Sequence, residues 1–180
     1  MRKLSHEEVG KKRIPLEYAR KLKRNPIYVL CDNIRSIYNV GSIFRTSDAA
    51  FIEKLYLTGF TPCPPRPEIE KVALGSTKSV PWEHFAKPLT AVSKLKNRGV
   101  KIACLEITDS SRRYYELSNT DFPLCLILGN ELTGVSNELI EASDLSIEIP
   151  QFGYKHSMNV SVAYGIAVFE MVKIINSDKT

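Results

Sequence analysis

Short apolar runs alternate with helical patterns along most of the chain. Apolar runs typical of buried strands occupy residues 27–31, 54–58, 100–105, 124–128 and 145–149, and residues 80–85 form a candidate extended piece. Apolar residues at helical spacing cover 40–50, 68–74, 89–98 and 137–142. Because strands that alternate with helices pair mostly in parallel, this pattern predicts an α/β fold with a mainly parallel sheet and helices on both faces.

A polar loop separates the last predicted strand from a closing helix. The loop contains Ser157 and Asn159, and the residues beyond it are apolar at helical spacing: Val160, Ala163, Tyr164, Ala167, Val168, Met171, Ile174 and Ile175. In open α/β sheets, ligands bind at loops that follow the carboxyl ends of strands. The loop is therefore a candidate ligand site, and an ordinary strand-to-helix connection is the alternative.

A second polar loop follows the first predicted strand, in the segment 32–51. Asn39 is expected to cap the helix that follows, and Arg45 lies more than one turn further along it. The planar guanidinium of arginine suits phosphate or carboxylate groups. A solvated surface arginine is the alternative interpretation of Arg45.

A third loop, in the segment 126–144, contains Gly129, Glu131 and Gly134 and leads into a helix that Ser136 is expected to cap. No lysine follows the glycines, so the loop lacks the signature of a P-loop. The loop is a candidate binding site for an adenosine or amino-acid moiety. The alternative for Glu131 is a solvated loop carboxylate without a role in binding. In a parallel sheet the three loops would lie at one edge.

Positive charge is concentrated at the start of the chain. The 180 residues carry a formal net charge of +5. Residues 1–24 contain nine Lys and Arg against three Glu, which gives +6, and the rest contain sixteen against seventeen acidic residues, which gives −1. This basic segment is a candidate contact for a polyanion such as RNA, and a solvated surface helix is the alternative.

The composition predicts a single cytoplasmic domain without a metal site. No apolar run approaches the ~20 residues that span a bilayer, and the N-terminus lacks the apolar stretch of a signal peptide. The four cysteines and three histidines are dispersed rather than paired at metal-binding spacings. Cys31, Cys104 and Cys125 lie in strand-like runs and are expected to be buried. His156, beside Lys155, is expected to be exposed rather than to act as a general base.

Three motifs in the polar loops occur together and in order: NVGSIFRT at 39–46, LGNELTGVS at 128–136 and IPQFGYKHSMNVSVA at 149–163. Together they closely resemble the SpoU (TrmH-type) family of RNA ribose 2′-O-methyltransferases, over about residues 26–175. The resemblance implies a C-terminal trefoil knot within the α/β fold, S-adenosylmethionine as cofactor, and tRNA or rRNA as substrate. It also implies a homodimer with the C-terminal helix in the interface and active sites that borrow residues from the partner subunit. We therefore expect a basic extension at 1–25 and a knotted methyltransferase domain at 26–176.

The resemblance also assigns site residues by position. Those implied for the cofactor pocket are Leu105, Gly129, Ile149, Gln151 and Met158, and those implied for the active site are Asn39, Arg45, Glu131, Ser157 and Asn159. Gln151 and Met158 stand where methionine and leucine are more usual in the family. Because guanidinium stays protonated, we expect Arg45 to orient the nucleotide and stabilise the developing alkoxide rather than to act as a base. Glu131 and Asn39 are expected to hold Arg45 in place.

Two other functions fit the same residues. A non-catalytic RNA-binding or assembly protein of this fold would keep the basic segment 1–24, although the intact active-site positions argue against it. A methyltransferase of the same fold that acts on a base nitrogen is the other alternative. The Asn39/Arg45 and Ser157/Asn159 pairs favour the ribose.

Overall fold

The sheet is parallel throughout. The computed structural model describes residues 1–11 and 14–177, and the strands in these ranges are β1 (Asn25–Asp32), β2 (Ile52–Thr58), β3 (Trp82–Phe85), β4 (Lys101–Leu105), β5 (Arg112–Arg113), β6 (Leu124–Leu128) and β7 (Leu145–Glu148). They form one sheet in the order β3-β2-β1-β6-β4-β7-β5, and every neighbouring pair is parallel. The predicted α/β fold with a mainly parallel sheet is confirmed. The trefoil knot stays an expectation from the resemblance.

Helices cover both faces of this sheet, as predicted. They are α1 (His6–Gly10), α2 (Leu16–Ala19), α3 (Ile37–Ala49), α4 (Pro67–Ala73), α5 (Ser76–Ser79), α6 (Pro88–Lys96), α7 (Asn137–Ala142) and α8 (Val160–Ser177). Successive side chains of a strand point to opposite faces. Accordingly, Ile27 and Val29 of β1 pack with α3, α4 and α8, while Tyr28 and Leu30 pack with α6 and α7.

The start of α3 differs from the prediction. The helix begins at Ile37, three residues before the predicted start, because the Ser36 hydroxyl accepts a hydrogen bond from the Asn39 amide at 3.3 Å. Ser36 is therefore the cap, and the expectation that Asn39 caps the helix was wrong. Asn39 instead lies inside the first turn with a buried side chain.

The cap of α7 and one edge strand also differ from expectation. Ser136 occupies the N-cap position of α7, but its hydroxyl makes no capping hydrogen bond and is buried without a described partner. The two-residue strand β5 was not predicted, because it is too short to show an alternating pattern.

The closing helix α8 is long and apolar enough, by length and composition, to cross a membrane. Core helices of folded domains meet the same criterion. The buried face of α8 includes Tyr164, whose hydroxyl is 2.8 Å from that of Ser47 on α3. Its outer face carries an ion pair between Lys173 and Glu170 at 2.8 Å. These contacts identify α8 as a core helix of the domain.

The basic segment at the start of the chain is anchored at the amino edge of the sheet. The Arg24 guanidinium donates to the carbonyls of Ile52 at 3.1 Å and Ser79 at 2.7 Å, and it lies 4.4 Å from the Phe51 ring centroid. Ile52 begins β2, so this contact lies at the edge opposite the polar loops. Arg24 therefore serves the fold, while Lys12 and Arg13 of the same segment lie outside the described residues.

Candidate active site

Hydrogen bonds join the loop after β1 to the loop after β6 at the carboxyl edge of the sheet. Asp32, the last residue of β1, is buried, and its carboxylate accepts a hydrogen bond from the Ser136 amide at 2.9 Å. The Asn130 carboxamide donates to the Asn33 carbonyl at 2.6 Å. Sequence reasoning did not select Asp32 or Asn130. The signal that could have identified Asp32 is its position as an acidic residue at the end of an otherwise apolar strand.

Glu131 fastens the same two loops together. Its carboxylate accepts hydrogen bonds from the Arg35 amide at 2.8 Å, the Ser36 amide at 3.0 Å and the Asn39 carboxamide at 2.8 Å. Partial burial raises the pKa of Glu131, but these three donors outweigh it and leave the pKa below its usual value. An ionised carboxylate with three donors already bound is an anchor and is poorly suited to accept a proton in catalysis.

Asn159 brings the loop before α8 to this cluster. Its carboxamide nitrogen donates to the Asn39 side-chain oxygen at 3.1 Å. The Asn159 side-chain oxygen accepts from the Ser161 amide at 2.9 Å, which caps the first turn of α8. A continuous hydrogen-bonded chain from Glu131 through Asn39 to Asn159 therefore links all three polar loops.

Arg45 and Ser157 stand apart from that chain. Both are exposed, and neither side chain has a hydrogen bond or ion pair with any other residue that the structure describes. The expectation that Glu131 and Asn39 hold Arg45 was wrong. At 3.6 residues per turn, six positions place Arg45 about 240° around α3 from Asn39. Glu131 positions Asn39 and the start of α3, and Arg45 projects from the helix toward solvent.

The positions implied for the cofactor lie at neighbouring strand ends. Leu105 ends β4, Gly129 follows β6 and Ile149 follows β7, and these three strands are adjacent in the sheet. All three residues are half-buried, as are Gln151 and Met158. The carboxamide of Gln151 donates to the Ile149 carbonyl at 2.9 Å.

The backbone after Ile149 fits a cofactor held through main-chain groups. Within the described part of the chain, residues 150–158 make no hydrogen bond from one backbone group to another. Their amides and carbonyls thus remain available to a ligand at the carboxyl edge. Half-buried aliphatic side chains beside a few free main-chain groups are typical of small-molecule sites, in which apolar side chains contact a ring and polar groups fix its orientation.

The loops described above match a known family. Residues 26–169 match the sequence profile of the SpoU rRNA Methylase family. The chain belongs to the SpoU family. The predicted family is thus confirmed, with the three loop motifs inside the matched range.

Relatives of this SpoU chain include named enzymes. It is 36% identical over 149 residues to the tRNA (guanosine(18)-2′-O)-methyltransferase of Aquifex aeolicus, a match that covers 82% of this chain and 69% of the relative. The Escherichia coli K12 protein of the same name is 29% identical over 164 residues, covering 87% and 69%.

Solved structures of other methyltransferases and tRNA modifying enzymes share this fold. The A. aeolicus TrmH/SpoU tRNA modifying enzyme superimposes with a TM-score of 0.79 at 34% identity, covering 91% of this chain and 83% of that one. An rRNA methyltransferase from Sinorhizobium meliloti superimposes with a TM-score of 0.75 at 28% identity, covering 85% and 59%. That second crystal structure contains bound S-adenosylmethionine.

The cysteine and histidine side chains that the structure describes take no part in the hydrogen-bonded chain from Glu131 to Asn159. Among residues 1–11 and 14–177, no group of three or more His, Cys, Asp or Glu side chains is placed to hold a metal ion. Burial raises the pKa of the Cys31 and Cys125 thiols, which keeps them protonated and unreactive. His156 is exposed, as expected.

Replacing Glu131 with glutamine is expected to destabilise the domain by about 1–2 kcal/mol, since an amide nitrogen would face backbone donors that now meet a carboxylate. The folded-state pKa of Glu131 lies below its unfolded value. The stabilisation that ionised Glu131 gives to the fold is therefore complete above the ordinary glutamate pKa of ~4.3. It is lost as the pH falls through the lowered pKa of the folded state. Urea denaturation across this acidic range measures the effect.

Glu141→Gln is the matched control, because Glu141 is an exposed glutamate of α7 with no described hydrogen-bond partner. The Glu141→Gln variant should have the free energy of unfolding of the wild type, and this free energy should fall in acid as it does in the wild type. Equal acid sensitivity of the Glu131→Gln variant and the wild type would contradict the anchoring role of Glu131.

Proposed function

We propose that this chain is an S-adenosylmethionine-dependent RNA methyltransferase that transfers a methyl group to a ribose 2′-hydroxyl, with a tRNA guanosine as the first substrate to test. The observation that carries the proposal is the chain from Glu131 through Asn39 to Asn159, which joins the three family loops at one edge of the sheet. The names of the relatives from A. aeolicus and E. coli bear out the predicted class of enzyme. They also favour tRNA over rRNA.

The reaction requires positioning more than acid–base chemistry. When bound, S-adenosylmethionine supplies a methyl group on a sulfonium. The ribose oxygen must approach that carbon in line, so much of the acceleration comes from alignment. Leu105, Gly129 and Ile149 would border the cofactor. The hydrogen-bonded loops would fix the ribose against it with little reorganisation.

Arg45 is the cation available for the developing negative charge. The hydroxyl loses its proton as its oxygen forms a bond to carbon, and a guanidinium beside that oxygen stabilises the alkoxide. Because Arg45 has no described internal partner, its five N–H donors remain available to RNA. Ser157 and Asn159 would shape the ribose pocket, and an RNA phosphate is a candidate acceptor of the proton.

A homodimer is part of this proposal. Val162, Ile166 and Phe169 form an exposed apolar stripe along α8, with side chains 54%, 37% and 48% exposed. Their spacing of four and three residues places them on one face of the helix. A second copy packed on this stripe would cover it, and the family resemblance implies that residues of the partner subunit then complete the active site. The cytoplasmic location stays a prediction.

The deciding experiment incubates the purified chain with S-adenosylmethionine and tRNA from cells that lack this protein. Mass spectrometry of the digested nucleosides should find a new 2′-O-methylated guanosine, and calorimetry should detect binding of S-adenosylmethionine. Sedimentation of the same sample should give the mass of a dimer. A new methyl group on a base nitrogen would favour the base-methylating alternative. Failure to bind S-adenosylmethionine would favour a non-catalytic RNA-binding protein.

A further inference from the structure

The loop after β2 carries an exposed aromatic ring, and hydrogen bonds tie this loop to the loop after β1. Phe60 follows β2 with its side chain 63% exposed. Its amide donates to the Asn33 side-chain oxygen at 3.1 Å, and the Thr61 hydroxyl accepts from the Ile34 amide at 3.0 Å. The loop after β2 is therefore bonded directly to the loop after β1, which carries the Glu131 contacts.

Gly59 holds the backbone next to Phe60 through further close contacts. A Cβ on Gly59 would lie 1.9 Å from the Asn33 side-chain oxygen, so the two loops touch without room for a side chain. The Gly59 amide donates to the Phe85 carbonyl at 3.0 Å, and the Gly59 carbonyl is 3.0 Å from the His84 ring nitrogen. Phe60 is thus an exposed ring on a rigid backbone and not part of a loosely held loop.

Two exposed arginines are carried by the same two hydrogen-bonded loops. Arg35 comes directly after Ile34 and is exposed, and Arg66 is exposed immediately before α4. Neither guanidinium has a hydrogen bond or ion pair with another residue that the structure describes. Helix α4 is fixed closely on α3, since a Cβ on Gly41 would lie 2.9 Å from the Ile69 carbonyl. Both cations are therefore carried by backbone that the fold holds in place.

The acidic groups of the described residues form no ion pair with either guanidinium. The Glu131 carboxylate accepts its hydrogen bonds from the amides of Arg35 and Ser36 and from the Asn39 carboxamide. Glu68 is exposed in the first turn of α4, where the positive end of the helix dipole favours a carboxylate. The positive charge of Arg66 also acts on Cys63. Burial raises the pKa of the Cys63 thiol, and the charge of Arg66 partly offsets that rise.

An exposed ring and two guanidinium groups without a described partner, all on two hydrogen-bonded loops, fit single-stranded RNA. Aromatic side chains stack on unpaired bases, and arginine binds the adjoining phosphates through its planar fork. We propose that Phe60, Arg35 and Arg66 form the surface that holds the RNA strand beside the target ribose, with Phe60 stacked on an unpaired base. The inference rests on the proposed function and adds the place where the substrate is gripped.

Phe60→Leu and Phe60→Trp separate stacking from apolar bulk. Leucine keeps an apolar side chain without a ring, and tryptophan keeps a ring. With an unmodified tRNA transcript as the probe, Phe60→Leu should raise the Kd for RNA by about 5- to 100-fold, and Phe60→Trp should stay near wild type. Calorimetry should give an unchanged Kd for S-adenosylmethionine in both variants, because Phe60 lies outside the proposed cofactor pocket.

The arginines are tested by salt dependence. Arg66→Gln should weaken binding of the same transcript and lower the slope of log K against log salt by about one, since one phosphate contact is lost. Arg66→Lys should keep most of the slope. Lys87→Gln is the matched control, because Lys87 is an exposed cation before α6 with no described partner, and its slope should equal that of the wild type.

The outcomes separate this inference from the proposed function. If the wild type binds S-adenosylmethionine and methylates tRNA while Phe60→Leu and Arg66→Gln bind the transcript as tightly as the wild type, this inference alone is wrong. If Phe60→Leu changes the sedimentation mass and leaves RNA affinity unchanged, the ring faces a second copy of the chain and the inference is overturned. If the wild type binds no RNA, both proposals fail.

Discussion

Replacing Arg45 with alanine is expected to reduce methyl transfer to RNA by about 100- to 1,000-fold, the loss typical when one donor to a developing oxyanion is removed. The affinity for S-adenosylmethionine should stay at the wild-type value. Arg45 is exposed on α3 without a described hydrogen bond or ion pair, so its truncation removes no internal contact. Stability should therefore change by no more than about 0.5 kcal/mol. Single-turnover rates, calorimetry and urea denaturation measure the three quantities.

Two companion variants define the role of Arg45. Arg45→Lys keeps the charge but loses the planar fork, so it should recover only part of the rate. His156→Ala should retain most of the activity, because a phosphate or solvent acceptor for the proton does not require this exposed ring. A rate for Arg45→Ala within threefold of the wild type would refute the assignment. A large loss for His156→Ala would instead assign the role of general base to His156.

The strands were predictable because burial on both faces leaves a continuous apolar run. The predicted strand at 124–128 coincides with β6, and the one at 27–31 lies within β1. Their order in the sheet was not predictable from composition or periodicity. The pairing of β1 with β6 joins segments almost one hundred residues apart, and no local pattern encodes that choice.

The candidate site was also predictable only in part. The resemblance to the SpoU motifs assigned Asn39, Glu131 and Asn159, which the fold joins by hydrogen bonds. The partners of Glu131 include the backbone amides of Arg35 and Ser36, and backbone donors leave no mark in a sequence. The motif positions did not show that α3 turns Arg45 about 240° away from Asn39, so the expected contact between them is not formed.

Adding a single methyl group at Gly129 is expected to damage both the fold and the cofactor site. A Cβ there would lie 2.3 Å from the Gly134 carbonyl carbon and 2.3 Å from the Val135 nitrogen, and both are backbone atoms that cannot rotate away. Asn130 and Gly134 exchange backbone hydrogen bonds at 2.9 Å, and the Val135 amide donates to the Glu106 carboxylate at 3.0 Å. Gly129→Ala must displace this turn, so we expect a loss of about 2–4 kcal/mol in the free energy of unfolding.

The cofactor measurement makes this prediction specific to the site. Gly129 follows β6 between the positions implied for S-adenosylmethionine, so a displaced turn should weaken its binding by about tenfold or more, equivalent to ~1.4 kcal/mol. Calorimetry is done at a temperature where circular dichroism shows the variant folded. Gly10→Ala is the control, because a Cβ at Gly10 meets no atom within 4 Å and should change neither quantity. If folded Gly129→Ala binds the cofactor as tightly as the wild type, the loop after β6 does not border the pocket, since a turn forced apart by a backbone collision could not leave an adjoining ligand undisturbed.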